Sequence, residues 1–143
     1  MTLQGLRILV AEDNLLEADI VQKALAQVGC DVIGPVPRLT DALDIVQRQQ
    51  LDGALLDINL NGVNSFAAAW RLQERRVPFA FMSGYPRSVI PGPGPLRTVP
   101  FITKPLDEQD LLRTVARFVP DEPTPPTKPP VRQRRMKRRQ YNL

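Results

Sequence analysis

The stretch that decides the fold is Ala54-Leu55-Leu56-Asp57-Ile58-Asn59-Leu60-Asn61-Gly62. Its apolar run carries one carboxylate, Asp57, to its end, and polar turn residues follow. A short apolar run bounded by a turn signal is typical of a strand buried in a parallel sheet. A carboxylate at the C-terminal end of such a strand lies where open α/β sheets bind their ligands. The ordinary alternative is that Asp57 starts a turn or caps the next helix.

Working outward from this stretch, apolar runs alternate with helical patterns along the chain. The other predicted strands lie near 7–11, 30–36, 77–82 and 98–103, and helices are predicted near 15–28, 41–46, 65–76 and 107–119. Strands separated by helices predict an α/β fold with a doubly wound, five-stranded parallel sheet. Right-handed crossovers then place the C-terminal end of every strand at one edge.

Several local features refine this architecture. Pro35 argues that the second strand lies at an edge of the sheet or ends there. Thr40 is predicted to cap the second helix. The segment 86–95 holds four prolines and two glycines, so the fourth helix is predicted to be irregular or shortened, with at most a short turn near 87–90. Apolar residues at helical spacing are expected to supply the core stripes; they include Leu15, Leu16, Ile20 and Trp70.

Polar residues follow four of the predicted strands, namely Glu12 with Asp13, then Asp57, Ser83 and Lys104. Clustered carboxylates repel each other unless a cation is present, and Mg²⁺ takes oxygen ligands. With the ion bound, an Asp carboxylate can attack phosphorus while a lysine neutralises charge on the transferred group. Alone, each residue has an ordinary interpretation as a helix-capping acid, a turn serine or a surface lysine. Together they predict a phosphoryl-transfer site.

Composition excludes several other classes of chemistry. Among 143 residues there is no histidine and one cysteine, Cys30. This excludes an internal disulfide, a multi-cysteine metal site, histidine-based catalysis and a phosphohistidine relay within the chain. Cys30 is expected to be a small buried hydrophobic residue. Neither a signal peptide nor an apolar run long enough for a membrane span is present, so a cytoplasmic protein is expected.

The basic charge of the chain is concentrated at its C-terminal end. Residues 1–119 hold 12 Lys/Arg and 13 Asp/Glu, whereas 120–143 hold 7 and 2, which together give the net charge of +4. We therefore expect one domain over 1–119 and a Pro-rich, then basic, disordered tail over 120–143. The tail is the only expected route to nucleic acid, through salt-dependent, non-specific binding, and Tyr141 alone offers base stacking. An anionic membrane surface, an acidic partner and a tail without specific function remain open.

The motifs at 8–14, 55–60, 82–84 and 102–105 resemble those of a response-regulator receiver domain of two-component signalling. Members of this CheY-like family have the flavodoxin-like (βα)5 fold, and the resemblance covers 5–119. It implies the following roles: Asp57 as phosphoacceptor, Glu12, Asp13, Asp57 and the backbone carbonyl of Asn59 as Mg²⁺ ligands, Lys104 as phosphoryl-binding lysine, Ser83 as switch hydroxyl and Phe101 as aromatic switch. It also implies a cis Lys104–Pro105 bond.

The resemblance also implies partners. The phosphoryl donor would be a sensor histidine kinase or a histidine phosphotransfer protein, and the output would be altered contact with a downstream protein partner or a phosphate sink. Such a domain catalyses only its own phosphorylation and dephosphorylation. No output domain follows Val119, so a stand-alone receiver is expected, with a homodimer left open. The run 81–85 is similar to the F-A-T-G-Y signature of a receiver subgroup common in alphaproteobacteria, which works with kinases of the HWE type.

Departures from the family pattern define the alternatives. Phe101 has no hydroxyl, so a switch there rests on packing, and the irregular 86–97 stretch puts the usual fourth-helix dimer face in doubt. The run Asp57-Ile58-Asn59 also resembles the nucleophile motif of haloacid-dehalogenase-type phosphatases. That family has a second Asp where this chain has Asn59, and it places its metal-binding acids late in the chain. Residue identity and order therefore favour the receiver.

Overall fold

The computed structural model describes residues 2–90 and 94–120. Its strands are β1 (Arg7–Ala11), β2 (Asp31–Val36), β3 (Gly53–Asp57), β4 (Asn59–Leu60), β5 (Val63–Asn64), β6 (Phe79–Ser83) and β7 (Phe101–Thr103). Its helices are α1 (Leu15–Gln27), α2 (Leu39–Arg48), α3 (Phe66–Glu74) and α4 (Glu108–Ala116), with 3-10 turns at Arg87–Val89 and Pro95–Thr98. Within these described ranges, no helix is both long and apolar enough to cross a bilayer.

The main sheet has five parallel strands in the order β2-β1-β3-β6-β7. The predicted doubly wound α/β fold is therefore confirmed. β2 lies at an edge, as Pro35 predicted, and the Gly34–Pro35 bond is cis. Because all five strands are parallel, their C-terminal ends share one edge. The site is built at that edge.

Two apolar layers cover the faces of the sheet. One packs α1 and α4 against it through buried residues that include Leu25, Leu111 and Val115, with Cys30 at its margin. The other packs α2, α3 and the two 3-10 turns against the opposite face. Every residue of β3 is buried as a result, which explains its uninterrupted apolar sequence.

The helical apolar stripes were predicted too broadly. In α1, Leu15 is 85% exposed, Leu16 77% and Ile20 46%, and in α3 Trp70 is 45% exposed. A helix beside a sheet buries one stripe, and residues at its margin remain in solvent even when they match the helical spacing. The face of α1 that is buried consists of Ala18, Val21, Ala24 and Leu25.

Element boundaries gave three further corrections. Thr40 does not cap α2, because the helix begins at Leu39, two residues earlier than predicted, and Arg38 occupies the capping position without a side-chain bond. Thr98 belongs to a 3-10 turn, and the fifth strand of the sheet starts only at Phe101. The turn predicted at Asn61 and Gly62 is confirmed, but it closes a short antiparallel hairpin, β4–β5, that was not predicted. Both turn residues have positive φ, 54° and 84°, as two-residue hairpin turns require.

The segment between β6 and β7 contains no regular helix among its described residues, as its prolines predicted. Arg87 holds the two 3-10 turns together: its Nη1 donates to the carbonyl oxygens of Arg97 at 2.7 Å and Val99 at 2.8 Å. Buried Ile90 and Leu96 take over the covering of the sheet. Residues 91–93 lie outside the described part of the chain, as does 121–143, where the disordered basic tail was predicted.

Candidate functional site

Four strand ends converge on one open cleft of about 460 Å³. Parallel pairing sets Asp57 of β3 beside Met82 of β6, and Ser83 of β6 beside Thr103 of β7. The residue that follows each strand is therefore carried to the same edge. The described residues that line the cleft are Asp13, Asn14, Glu17, Asp57, Asn59, Gly62, Ser83, Gly84, Tyr85 and Lys104. Of the residues predicted from the strand ends, Glu12 lies nearby and the others line the cleft directly.

Three carboxylates form an acidic cluster at this edge. Oxygen atoms of Glu12, Asp13 and Asp57 all lie within 4.8 Å of one another. Glu12 is 2% exposed and Asp57 6%. Burial, followed by the neighbouring Asp57 carboxylate, raises the pKa of Glu12 to about 7, although contact with Lys104 opposes this rise. Packing these anions together is unfavourable without a cation, which Lys104 partly supplies.

Lys104 binds three carboxylates at once. Its Nζ lies 2.7 Å from Glu17 Oε1, 2.9 Å from Glu12 Oε1 and 2.9 Å from Asp57 Oδ2. Burial alone would lower the pKa of this lysine, but its contacts with Glu17, Glu12 and Asp57 outweigh burial and raise the pKa above its ordinary value. The ammonium group is therefore charged throughout the physiological range. The Lys104–Pro105 bond is cis, as expected.

Glu17 is the site residue that sequence reasoning missed. The side chain of Asn14, at the start of α1, accepts the Glu17 N–H at 3.0 Å, and Glu12 Oε2 accepts the Asn14 N–H at 3.0 Å. In a common helix start, a glutamate at the third helical position returns to bond the capping residue. Here Glu12 fills that role, so Glu17 is free to turn toward Lys104. The sequence signal for this role was a glutamate at the third helical position. The Asn14 N–H that such a glutamate usually bonds is already bonded by Glu12.

Asp13 and Asn59 tie the β4–β5 hairpin to the cleft. The Asn61 N–H donates to Asp13 Oδ2 at 2.9 Å, and the Asn59 N–H donates to Asp57 Oδ1 at 3.1 Å. The Asn59 side chain in turn accepts the Gly62 N–H at 2.7 Å. The hairpin therefore fixes one oxygen of each of two clustered carboxylates.

The two predicted switch residues differ in their position relative to the cleft. Ser83 is 2% exposed and lines the cleft, and its Oγ accepts the Tyr85 N–H at 2.9 Å. Phe101 is half-buried against the apolar layer of α2 and α3 and does not line the cleft. The Arg87 guanidinium lies 5.2 Å from the centre of its ring, a cation–π arrangement.

The donor set suits a hard divalent cation. Glu12 Oε1 is buried and, among the described residues, has no hydrogen-bond partner, because its 2.9 Å contact with Lys104 Nζ is an ion pair without hydrogen-bond geometry. The cluster offers carboxylate oxygens and neither nitrogen nor sulfur. Mg²⁺ prefers such oxygen ligands and retains several waters, so three carboxylates suffice for it. The residues present therefore fit this ion.

A model of the response regulator receiver domain family matches residues 8–116. The sensory transduction protein LytT of Bacillus subtilis is 27% identical over 116 residues, which cover 79% of this chain and 48% of that protein. LytT of Bacillus anthracis matches at the same identity, over 47% of its length. The chain thus spans about half the length of the curated relatives it matches.

Solved structures show the same fold. The receiver domain of the response regulator PhyR from Erythrobacter litoralis is 26% identical, with a TM-score of 0.71 over 85% of this chain and 97% of that one. The receiver domain of sensor histidine kinase PA1611 from Pseudomonas aeruginosa, solved with a magnesium ion in its active site cleft, is 24% identical. Its TM-score is 0.65 over 80% of this chain and 97% of that one.

Proposed function

Because this chain belongs to the family of response regulator receiver domains, we propose that Asp57 accepts a phosphoryl group from a sensor histidine kinase or a histidine phosphotransfer protein. Receiver domains are signalling domains of two-component systems rather than classical enzymes. The observation that carries the proposal is the position of Asp57: a buried carboxylate in an open cleft, 2.9 Å from Lys104 Nζ and clustered with Glu12 and Asp13.

The chemistry that this arrangement supports is a simple transfer. A carboxylate oxygen of Asp57 forms a bond to phosphorus while the bond from phosphorus to the donor histidine nitrogen breaks, and the nitrogen keeps the electron pair. The Asn59 N–H holds Asp57 Oδ1 in place at 3.1 Å. Lys104 is positioned to neutralise charge on the transferred group, which is most of what phosphoryl transfer requires of a protein.

We propose Mg²⁺ as the cofactor, held by Glu12, Asp13, Asp57 and the backbone carbonyl of Asn59. When bound, the ion supplies further neutralisation of phosphoryl charge. Two observations support this assignment: Glu12 Oε1 is buried without a hydrogen-bond partner among the described residues, and three carboxylates are clustered. The magnesium-bound PA1611 receiver domain shows that a domain of the same fold takes the ion.

Ser83 and Phe101 are the proposed switch. The Ser83 hydroxyl lines the cleft and can turn to donate to a phosphoryl oxygen, and repacking of Phe101 would pass the change to the Arg87 segment. Either a downstream protein would read that surface or the domain would serve as a phosphate sink, in the cytoplasm. The two 3-10 turns stand where a fourth helix would offer a dimer face, so a homodimer would need another surface.

Neither alternative gains support. Asn59 stands where a haloacid-dehalogenase-type phosphatase has its second aspartate, and the family match over 8–116 is with receiver domains. Binding of nucleic acid would depend on the basic residues of the tail, which lie outside the described part of the chain.

Intact mass after incubation with acetyl phosphate tests the proposal. The wild-type protein should gain the mass of one phosphoryl group, only with Mg²⁺ present, and hydroxylamine should remove it. Asp57→Asn should gain none, because an amide cannot replace the carboxylate nucleophile. Consumption of acetyl phosphate is measured in parallel, so that a rapidly hydrolysed product is distinguished from an inert site. Labelling of Asp57→Asn at a single other residue would contradict the assignment, as would an inert wild-type protein.

A further inference from the structure

Glu17 lies in the cleft but outside the cation cluster. Its Oε1 makes the shortest of the three contacts with Lys104 Nζ, 2.7 Å, and it reaches there from the first turn of α1. The clustered carboxylates are Glu12, Asp13 and Asp57, and Glu17 is not among them. The proposed transfer to Asp57 does not require this side chain. Its contact with the lysine therefore needs a separate explanation.

The cleft holds more negative charges than Lys104 alone can neutralise. Three carboxylates lie within 3 Å of this lysine, and among the described residues that line the cleft it is the sole cation. A phosphoryl donor brings about two more negative charges near neutral pH. A lysine ammonium is a single point charge with three N–H donors, and Lys104 already donates to Glu17 Oε1 and Asp57 Oδ2. Glu12 Oε1 lies 2.9 Å from the same nitrogen. An incoming phosphoryl oxygen must therefore compete with these carboxylates for one positive charge.

Glu17 is the partner most easily displaced. The Glu12 side chain is 0% exposed and that of Asp57 9%, whereas that of Glu17 is 27% exposed and can rotate into solvent. Asp57 is itself the proposed acceptor, and Glu12 is fixed by the Asn14 N–H. Of the three partners, Glu17 is therefore the one that an incoming phosphoryl donor can displace from Lys104.

We propose that Glu17 is a positioning residue that holds Lys104 away from an incoming phosphoryl group and so slows phosphorylation by doubly charged donors. This inference rests on the proposed function of Asp57. The unmodified domain would thereby resist small-molecule donors, while a protein donor that displaces Glu17 on docking would escape the restraint.

Glu17→Gln tests this, because the amide keeps the size of the side chain and loses its charge. We expect the rate of acetyl phosphate labelling to rise about two- to fivefold, the size expected for loss of one partly exposed ion pair of up to about 1 kcal/mol. The rise should be smaller with phosphoramidate, a donor of lower charge, and should shrink at high salt. Asp19→Asn is the matched control: it removes one charge from the same helix, where Asp19 pairs with Lys23 in solvent, and should leave the rate unchanged.

The outcomes distinguish the competition between Glu17 and the donor for Lys104 from the proposed role of Asp57 as phosphoacceptor. If Glu17→Gln labels no faster than wild type, or accelerates equally with both donors, the competition for Lys104 is overturned. Binding of inorganic phosphate in the presence of Mg²⁺ gives a second readout that needs no covalent step. Glu17→Gln should bind phosphate about two- to fivefold more tightly than wild type, and equal affinity would overturn the inference. A wild-type protein that binds phosphate but is never labelled would instead refute the role of Asp57.

Discussion

The two sides of the cleft are held together by different forces. On one side, Lys104 and its three carboxylates form a partly buried network of full charges. On the other, Ser83 accepts a backbone N–H at the cleft, and outside the cleft Arg87 binds backbone carbonyl oxygens and contacts the Phe101 ring. A cation or a phosphoryl group changes the charge balance of the first side directly. The second side can respond only through packing and hydrogen bonds. Ion, pH and mutation should therefore affect the two sides unequally.

Removal of the lysine should give the largest effect. Lys104→Ala leaves Glu12 and Asp57 buried without their cation, so we expect the free energy of unfolding to fall by about 3 kcal/mol at pH 8 without divalent ions. Mg²⁺ should restore part of this loss. Urea unfolding measures both quantities. Lys23→Ala, which removes a solvent-exposed ion pair, is the control and should change stability by less than about 1 kcal/mol. Equal stability of the two variants would remove the distinction between the two sides.

Titration should affect the charged side alone. The pKa of Glu12 is about 7 in the folded protein against 4.5 ordinarily, so between these values the folded state binds a proton that the unfolded state has lost. The resulting stabilisation is complete below pH 4.5 and is lost as the pH rises through 7, a fall of about 3 kcal/mol. Urea unfolding in a chelator at several pH values should show this fall in wild type and not in Glu12→Gln. Parallel curves for the two proteins would contradict it.

On the side of Ser83, Arg87→Ala removes two hydrogen bonds to carbonyl oxygens and the cation–π contact with Phe101. We expect a loss of about 1.5 kcal/mol, and faster hydrogen exchange near 96–99. This loss should be the same with and without Mg²⁺. Arg113→Ala, which removes an exposed pair with Asp110, is the control. A loss that changes with the ion would show that the two sides are electrostatically coupled.

Ser83→Ala should have the smallest effect. It leaves the partly buried Tyr85 N–H without its acceptor, which costs about 1 kcal/mol. Because no charge is removed, the loss should be independent of pH between 5 and 8. A pH-dependent loss, measured by thermal unfolding, would assign Ser83 to the charged network instead.

The same division explains what the sequence could predict. A parallel α/β topology determines which residues follow strands and therefore share an edge, so the meeting of Asp13, Asp57, Ser83 and Lys104 at one cleft followed from the alternation alone. Their roles in phosphoryl transfer stay a prediction. Glu17 lies 87 residues from Lys104 and belongs to a helix, so its position depends on how α1 is rotated about its axis.

The sequence did not predict correctly which face of α1 is turned toward the sheet. Leu15, Leu16 and Ile20 have the spacing of a core stripe, yet they face solvent. The buried face of α1 uses smaller residues such as Ala18 and Ala24, which let the helix lie close to the sheet. Hydrophobic spacing cannot distinguish these two faces when both carry apolar residues. Placement of Glu17 required the packed structure.

Because the Asn61 N–H is hydrogen-bonded to Asp13, its NMR signal should report whether the proposed cation site is occupied. The amide proton of Asn61, in a turn of positive φ, points at a carboxylate of the proposed cation site at 2.9 Å. Its resonance frequency depends on the electron density of that oxygen, so occupancy of the site would displace one backbone cross-peak without any label or mutation. Trp70 lies on α3, outside the cleft, and its fluorescence offers no such view. Two-dimensional NMR of the unmodified protein is therefore the most direct way to watch this site fill.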